Sequence, residues 1–192
     1  VLGLSLFLRR PQVSSGNGPG KTLLEDRKMK GKKRTYIYLA GNISRDVRTY
    51  QWRETFTELM AQEIENHSVV IVDPCANKFN QGIKGFGTDG ASFIKEAVKR
   101  SQKLLRSKDY QMIKMCNLMV ANIGLVTPDK PLIGTVQELT WASDVFYMPV
   151  IGITEGEENP YTLHPWIDEC CSAKVETVEE AVDLVKTFFL HY

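Results

Sequence analysis

The chain has 192 residues, of which 43% are hydrophobic and 24% charged. That is one domain's length with enough apolar sequence to bury a core, and it excludes wholesale disorder. The net charge of +1 hides an imbalance, because residues 1–34 carry +7 and leave −6 on residues 35–192; an acidic body argues against long-range attraction of nucleic acid.

Residues 1–34 read as a basic, flexible tail ahead of a folded domain at 35–192. They combine a short apolar run, a Ser/Gly/Pro stretch at 14–20 and a basic cluster from Lys28 to Arg34, a mixture that buries little. The apolar run at 1–8 is followed, not preceded, by arginines, which makes a poor secretory signal. Gly16 to Thr22 imitates a phosphate loop, but only three residues separate Gly16 from Gly20-Lys21 where four are needed.

From Thr35 onward the pattern alternates. Tyr36–Ala40 predicts a strand closed by Gly41-Asn42. Trp52, Phe56, Leu59, Met60 and Ile64 recur at helical spacing and predict one amphipathic helix. Val69–Val72 predicts a fully buried strand ending at Asp73-Pro74. After a polar, Gly-rich loop, helical sequence runs to about Arg106 and again from Asp109 to Cys116. Leu118–Ile123 predicts a third strand, Gly134–Phe146 a helix, and Val150–Ile153 a fourth strand. A short strand at Lys174–Glu176 and a helix at Val178–Leu190 close the chain. Strands apolar on both faces, alternating with helices, imply a single-domain, Rossmann-like (flavodoxin-like) α/β fold with about five parallel strands covered on both faces.

Such sheets bind ligands beyond the carboxyl ends of their strands. That rule selects Gly41-Asn42, Asp73-Pro74, Asn122-Ile123 and the loop leading to Gly134-Thr135. Glu138 stands near the start of the helix after the third strand, where free N–H groups hold anions or sugar oxygens, and Gly134 permits a tight turn. Asp109 approaches from the helix that feeds the third strand. The plainer readings are a dipole-placed glutamate for Glu138 and an N-cap for Asp109. Arg53, Lys78 and Lys84 are candidates for phosphate recognition. His164, before Pro165-Trp166, reads as a turn residue or a site contributor. Cys75, Cys116, Cys170 and Cys171 have neither metal-site nor C-x-x-C spacing, and they fit reduced thiols in a cytoplasmic protein. No run reaches the ~18 apolar residues of a membrane span. No metal or redox cofactor is indicated.

The segment Tyr36–Asn42, the Asp109-x-x-x-Ile113 motif, the strand ending Val120-Ala121-Asn122, and Gly134-Thr135-x-x-Glu138-Leu139-x-x-Ala142 occur in the order found in the nucleoside 2-deoxyribosyltransferase superfamily, which this chain resembles from about Tyr36 to Ile153. The resemblance implies a small nucleoside or nucleotide substrate, Glu138 as nucleophile forming a covalent glycosyl-enzyme, and Asp109 placing it and handling the proton of the departing base. It implies that Tyr38 bonds the nucleophile, and that Gly41 and Asn42 line the sugar or its 5′ substituent with backbone donors. Members often carry an acidic or hydroxyl residue six positions before the nucleophile. Here that residue is Leu132, with Asp129 three further back. Trp52-Arg53 and His164-Pro165-Trp166 resemble a phage- and bacteria-associated branch. Two rivals stand beside this reading. One is a lysine-decarboxylase-like phosphoribohydrolase, which would want Pro-Gly-Gly-x-Gly-Thr where the chain has Leu132-Ile133-Gly134-Thr135. The other is a non-catalytic nucleotide-sensing module on the same fold. Apolar positions in Trp141–Phe146 lead to the expectation of a homo-oligomer.

Overall fold

A computed structural model describes residues 34–44, 46–76, 91–127 and 131–190, without the side chains of 91–102. The basic tail, Lys78, Lys84 and Asp129 lie outside the described residues. Five strands, β1 (Thr35–Gly41), β2 (Val69–Val72), β3 (Leu118–Asn122), β4 (Val150–Ile153) and β5 (Ala173–Val175), form one sheet in the order β2-β1-β3-β4-β5. All pairs are parallel, as the run of strand–helix units requires. β1 and β3, the central pair, leave the sheet together at Gly41 opposite Asn122, and the chain crosses to opposite sides of β1 from there. This is where a doubly wound sheet opens a crevice.

The period of two divides the core into two layers. Ile37, Leu39, Leu118, Val120, Ile151 and Ile153 face one way, against Trp52 and Phe56 of α1 (Arg48–Leu59) and Val182 and Val185 of α6 (Val178–Phe189). Tyr38, Ala40, Met119, Ala121 and Val150 face the other way, against Ile113 of α3 (Ala91–Lys114), Leu139 of α4 (Ile133–Thr140) and Ile167 of α5 (Pro165–Cys170). Phe56 is fully buried; its truncation to Ala would cost about 3–5 kcal/mol. The closing helix starts on a capping box, in which Thr177 Oγ1 accepts from the Glu180 N–H and Glu180 returns a bond to the Thr177 N–H.

Several boundaries differ from the sequence reading. The helix expected through Ile64 stops at Leu59, and a short turn, α2 (Ala61–Glu65), follows. Lys186 Nζ donates to the Leu59 carbonyl at 3.1 Å and pairs with Glu63, so a side chain from the last helix satisfies this end. The two helices expected around residues 91–116 are one. Ser107 is tolerated inside it because its hydroxyl bonds back to the Lys103 carbonyl at 2.8 Å. The helix expected at Gly134–Phe146 is α-helical to Thr140 and then π-helical over Trp141–Val145, with the Phe146 N–H bonded five residues back to Trp141. Trp141 and Ala142 are thereby packed into the core, so Trp141 supplies no exposed apolar surface, although Val145 and Tyr147 do. His164 stands at the turn into a helix. Its Nδ1 accepts from the Trp166 N–H and caps α5, with Pro165 in the first turn. Among the described residues no helix is long and apolar enough to cross a membrane.

Candidate active site

Three polar side chains meet on the α3–α4 side of the sheet. Tyr38 points there from the middle of β1 because its strand neighbours Ile37 and Leu39 face the other layer. Its ring is fully buried, and its hydroxyl donates to Glu138 Oε1 at 2.8 Å across 100 residues of sequence. Glu138 is the sixth residue of α4, past the first turn, so a role as a dipole-placed glutamate does not describe it. Asp109 lies well inside α3, so it is not an N-cap. Both carboxyls are half-buried.

The electrostatics follow from that crowding. Burial, with the Asp109 charge adding to it, pushes the Glu138 carboxyl up to about 7, against the Tyr38 hydrogen bond and the more distant Arg53 and Lys108 cations. Burial also raises Asp109, whose carboxylate is opposed by Lys108 Nζ at 3.1 Å. The Tyr38 hydroxyl is driven far above its ordinary value by burial, then by the Glu138 and Asp109 charges, so it is a permanent donor. The Asp109 charge is felt at Glu138, where it adds to burial in favouring the protonated acid. An acid raised to neutrality by burial, with a second raised acid nearby and a fixed donor, suits general acid and nucleophile chemistry.

The other expected residues are placed differently. Arg53 is almost fully buried, and its guanidinium donates to the carbonyls of Gly41, Asn42 and Thr49 while Nε lies 3.4 Å from Asp73 Oδ1. Its donors are turned to backbone, not held out for a phosphate. Gly41 is required by that close approach, since a Cβ there would meet Asn122 O and Trp52 Cζ2 at 3.2 Å at a φ of 153°. The Gly41 and Asn42 carbonyls face the arginine, and the Asn42 amide donates to Thr127 Oγ1. Asp73 accepts from the Cys75 N–H at 2.8 Å. Asn122 is fully buried and committed to Glu155 and the Leu125 N–H. Gly134 makes no tight turn: it is inside α4, exposed, and an added Cβ would meet nothing. Thr135 beside it is buried, as is Leu132, whose N–H donates to Tyr161 Oη.

Sequence reasoning did not single out Lys108, and it read Cys75 only as a reduced thiol, which it is. Lys108 also donates to the Pro74 carbonyl at 3.4 Å; the Lys-Asp dipeptide late in a long helix was its only signal. Cys75 shares a cavity of about 620 Å³ with Arg53 and Asp73. Burial lifts its thiol to about 12, which leaves it a poor nucleophile.

The sheet order defines a doubly wound α/β protein, with Glu138 of α4 bonded to Tyr38 of the central strand β1. A 2-deoxyribosyltransferase from the psychrotolerant bacterium Bacillus psychrosaccharolyticus is similar to it at a TM-score of 0.51 and 17% identity, over 78% of this chain and 91% of that one. A CMP N-glycosidase from Clostridium botulinum aligns at a TM-score of 0.43 and 16% identity, over 79% of this chain and 99% of that one. No family model and no curated protein matches the sequence. The first likeness shows a shared fold, the one the sequence motifs implied.

Proposed function

We propose that this chain is an enzyme of the nucleoside 2-deoxyribosyltransferase superfamily that cleaves or transfers the N-glycosidic bond of a (deoxy)nucleoside or its 5′-monophosphate. The observation that carries the reading is the Tyr38–Glu138 hydrogen bond with Asp109 near enough for its charge to act on both.

Tyr38 occupies Glu138 Oε1, which leaves Oε2 to attack the anomeric carbon. In the first half-reaction the Oε2–C1′ bond forms and the C1′–N bond breaks. The bonding pair goes to the base nitrogen, which takes a proton from Asp109. The product is a glycosyl ester on Glu138 with Asp109 ionised. In the second half, water or a second base attacks C1′ and gives its proton to Asp109, and Glu138 leaves as the carboxylate. Water makes the protein a hydrolase; a base makes it a transferase. Proton donation of this kind is worth roughly 10²–10⁴-fold. The role is one of small-molecule nucleotide salvage, and four unbridged cysteines suit a reducing, cytoplasmic setting. Exposed Ile133, Leu163 and Trp166 suit a homo-oligomer.

The test is base release and intact mass measured on a panel of nucleosides and 5′-monophosphates. Free base together with a glycosyl adduct that Glu138→Gln abolishes is the expected result. Binding without base release across the panel would turn the reading toward a nucleotide-sensing module.

A further inference from the structure

Lys108 and Asp109 are adjacent on α3, and adjacent helical side chains point away from each other. Yet Lys108 Nζ lies 3.1 Å from Asp109 Oδ1 and donates to the Pro74 carbonyl at 3.4 Å. Its stem is therefore folded across the helix toward the end of β2, and the Lys108 side chain is only 31% exposed. One ammonium ties the helix that carries Asp109 to the chain leaving the sheet.

We propose that Lys108 is a positioning residue of this site: bridging the Asp109 carboxylate and the Pro74 carbonyl, it holds Asp109 in place and steadies the negative charge left when Asp109 gives up its proton. The proposal rests on the reaction assigned above. Its physical basis is that a buried carboxylic acid donates poorly unless something nearby stabilises its conjugate base. Among the described residues the other charged and titratable groups around the pair are engaged elsewhere. Tyr38 on β1 bonds Glu138, Arg53 on α1 is committed to backbone carbonyls and Asp73, and the Cys75 thiol is neutral. Lys108 also acts on Glu138, lowering its proton affinity from a distance, so one cation favours the ionised form of both acids.

The experiment compares the full chain with Lys108→Met and Lys108→Arg. Side-chain carboxyl titrations of Asp109 and Glu138 are followed by ¹³C NMR without substrate, beside single-turnover base release across pH. In Lys108→Met we expect both carboxyl titrations to move upward, Asp109 by about one pH unit. Base release at neutral pH should fall about tenfold, with the acid limb of the rate profile displaced upward and substrate affinity little changed. Lys108→Arg should restore most of each effect. Superimposable carboxyl titrations in wild type and Lys108→Met overturn the proposal. So does a displacement that Lys108→Arg fails to reverse, which would report packing and not charge. Because the titration needs no substrate, displaced carboxyls in a protein that releases no base would sustain the Lys108 coupling and sink the glycosidic reading. Base release with unmoved carboxyls would do the reverse.

Discussion

Arg53 and Glu138 are both ionisable side chains withdrawn from water at the same edge of one sheet, and the fold treats them in opposite ways. Arg53, on the helix covering one face, has its guanidinium turned to the carbonyls of Gly41, Asn42 and Thr49 and to Asp73. Glu138, on the helix covering the other face, accepts a hydrogen bond from Tyr38 and feels the charge of a second carboxyl group. The first charge is paired with Asp73 and with backbone carbonyls, and it fastens the β1 loop to α1. The second has no ion pair among the described residues, and burial raises its proton affinity into the neutral range. A charge that the scaffold neutralises is architecture; a charge that it leaves exposed to a neighbour's protonation is available for chemistry.

If that contrast is right, the two sites fail differently when broken. Glu138→Gln should lower single-turnover base release by about 10⁴-fold or more while the far-ultraviolet spectrum is unchanged; near-normal release would remove Glu138 as nucleophile. Arg53→Leu should instead destabilise the protein by about 3–5 kcal/mol, read as a denaturant midpoint, because Asp73 and three carbonyls lose their partner together. An unaltered midpoint with a selective loss of monophosphate binding would reverse the assignment and make Arg53 a ligand contact. Asp109→Asn should slow the chemical step by about 10²-fold with little effect on affinity, since it removes the proton and keeps the shape. A pure binding defect would contradict its role.

The smallest effect sharpens the contrast furthest. The Glu138 carboxyl is raised from its ordinary value to about 7 in the folded protein. Between the unfolded value and about 7 the folded chain holds a proton that the unfolded chain has lost, so this group costs stability as pH rises through that window. The cost is absent at lower pH and complete above 7. Glu138→Gln should therefore raise the stability measured by thermal melts at pH 8 by roughly 1–2 kcal/mol, with no gain at pH 4. A gain of equal size at both pH values would mean that burial of the charge is not what Glu138 costs the fold.

Much of the architecture was legible without coordinates. β1, β2, β3 and β4 were found within a residue or two because a fully buried parallel strand is a short, continuous apolar run. Helix boundaries were less legible. Nothing near Leu59 announces that Lys186 will bond its carbonyl, and the π-helical turn after Thr140 breaks a period that the sequence continues. The six-residue helix at Pro165 did carry its signal, a capping side chain followed by proline, but it is too short to show a period.

For the site, the sequence by itself determined which residues the strand ends and helix starts would offer, and motif order singled out Tyr38, Asp109 and Glu138 among them. Only the tertiary structure decided what each one touches. It brought the Tyr38 hydroxyl to Glu138 across 100 positions, buried Arg53 and turned its donors to backbone, tied Asn122 to Glu155 and set Lys108 against Asp109. The reason is physical: periodicity and turn chemistry are local and survive in one dimension. Desolvation, charge pairing and hydrogen-bond commitment depend on neighbours that the chain brings together only when it folds.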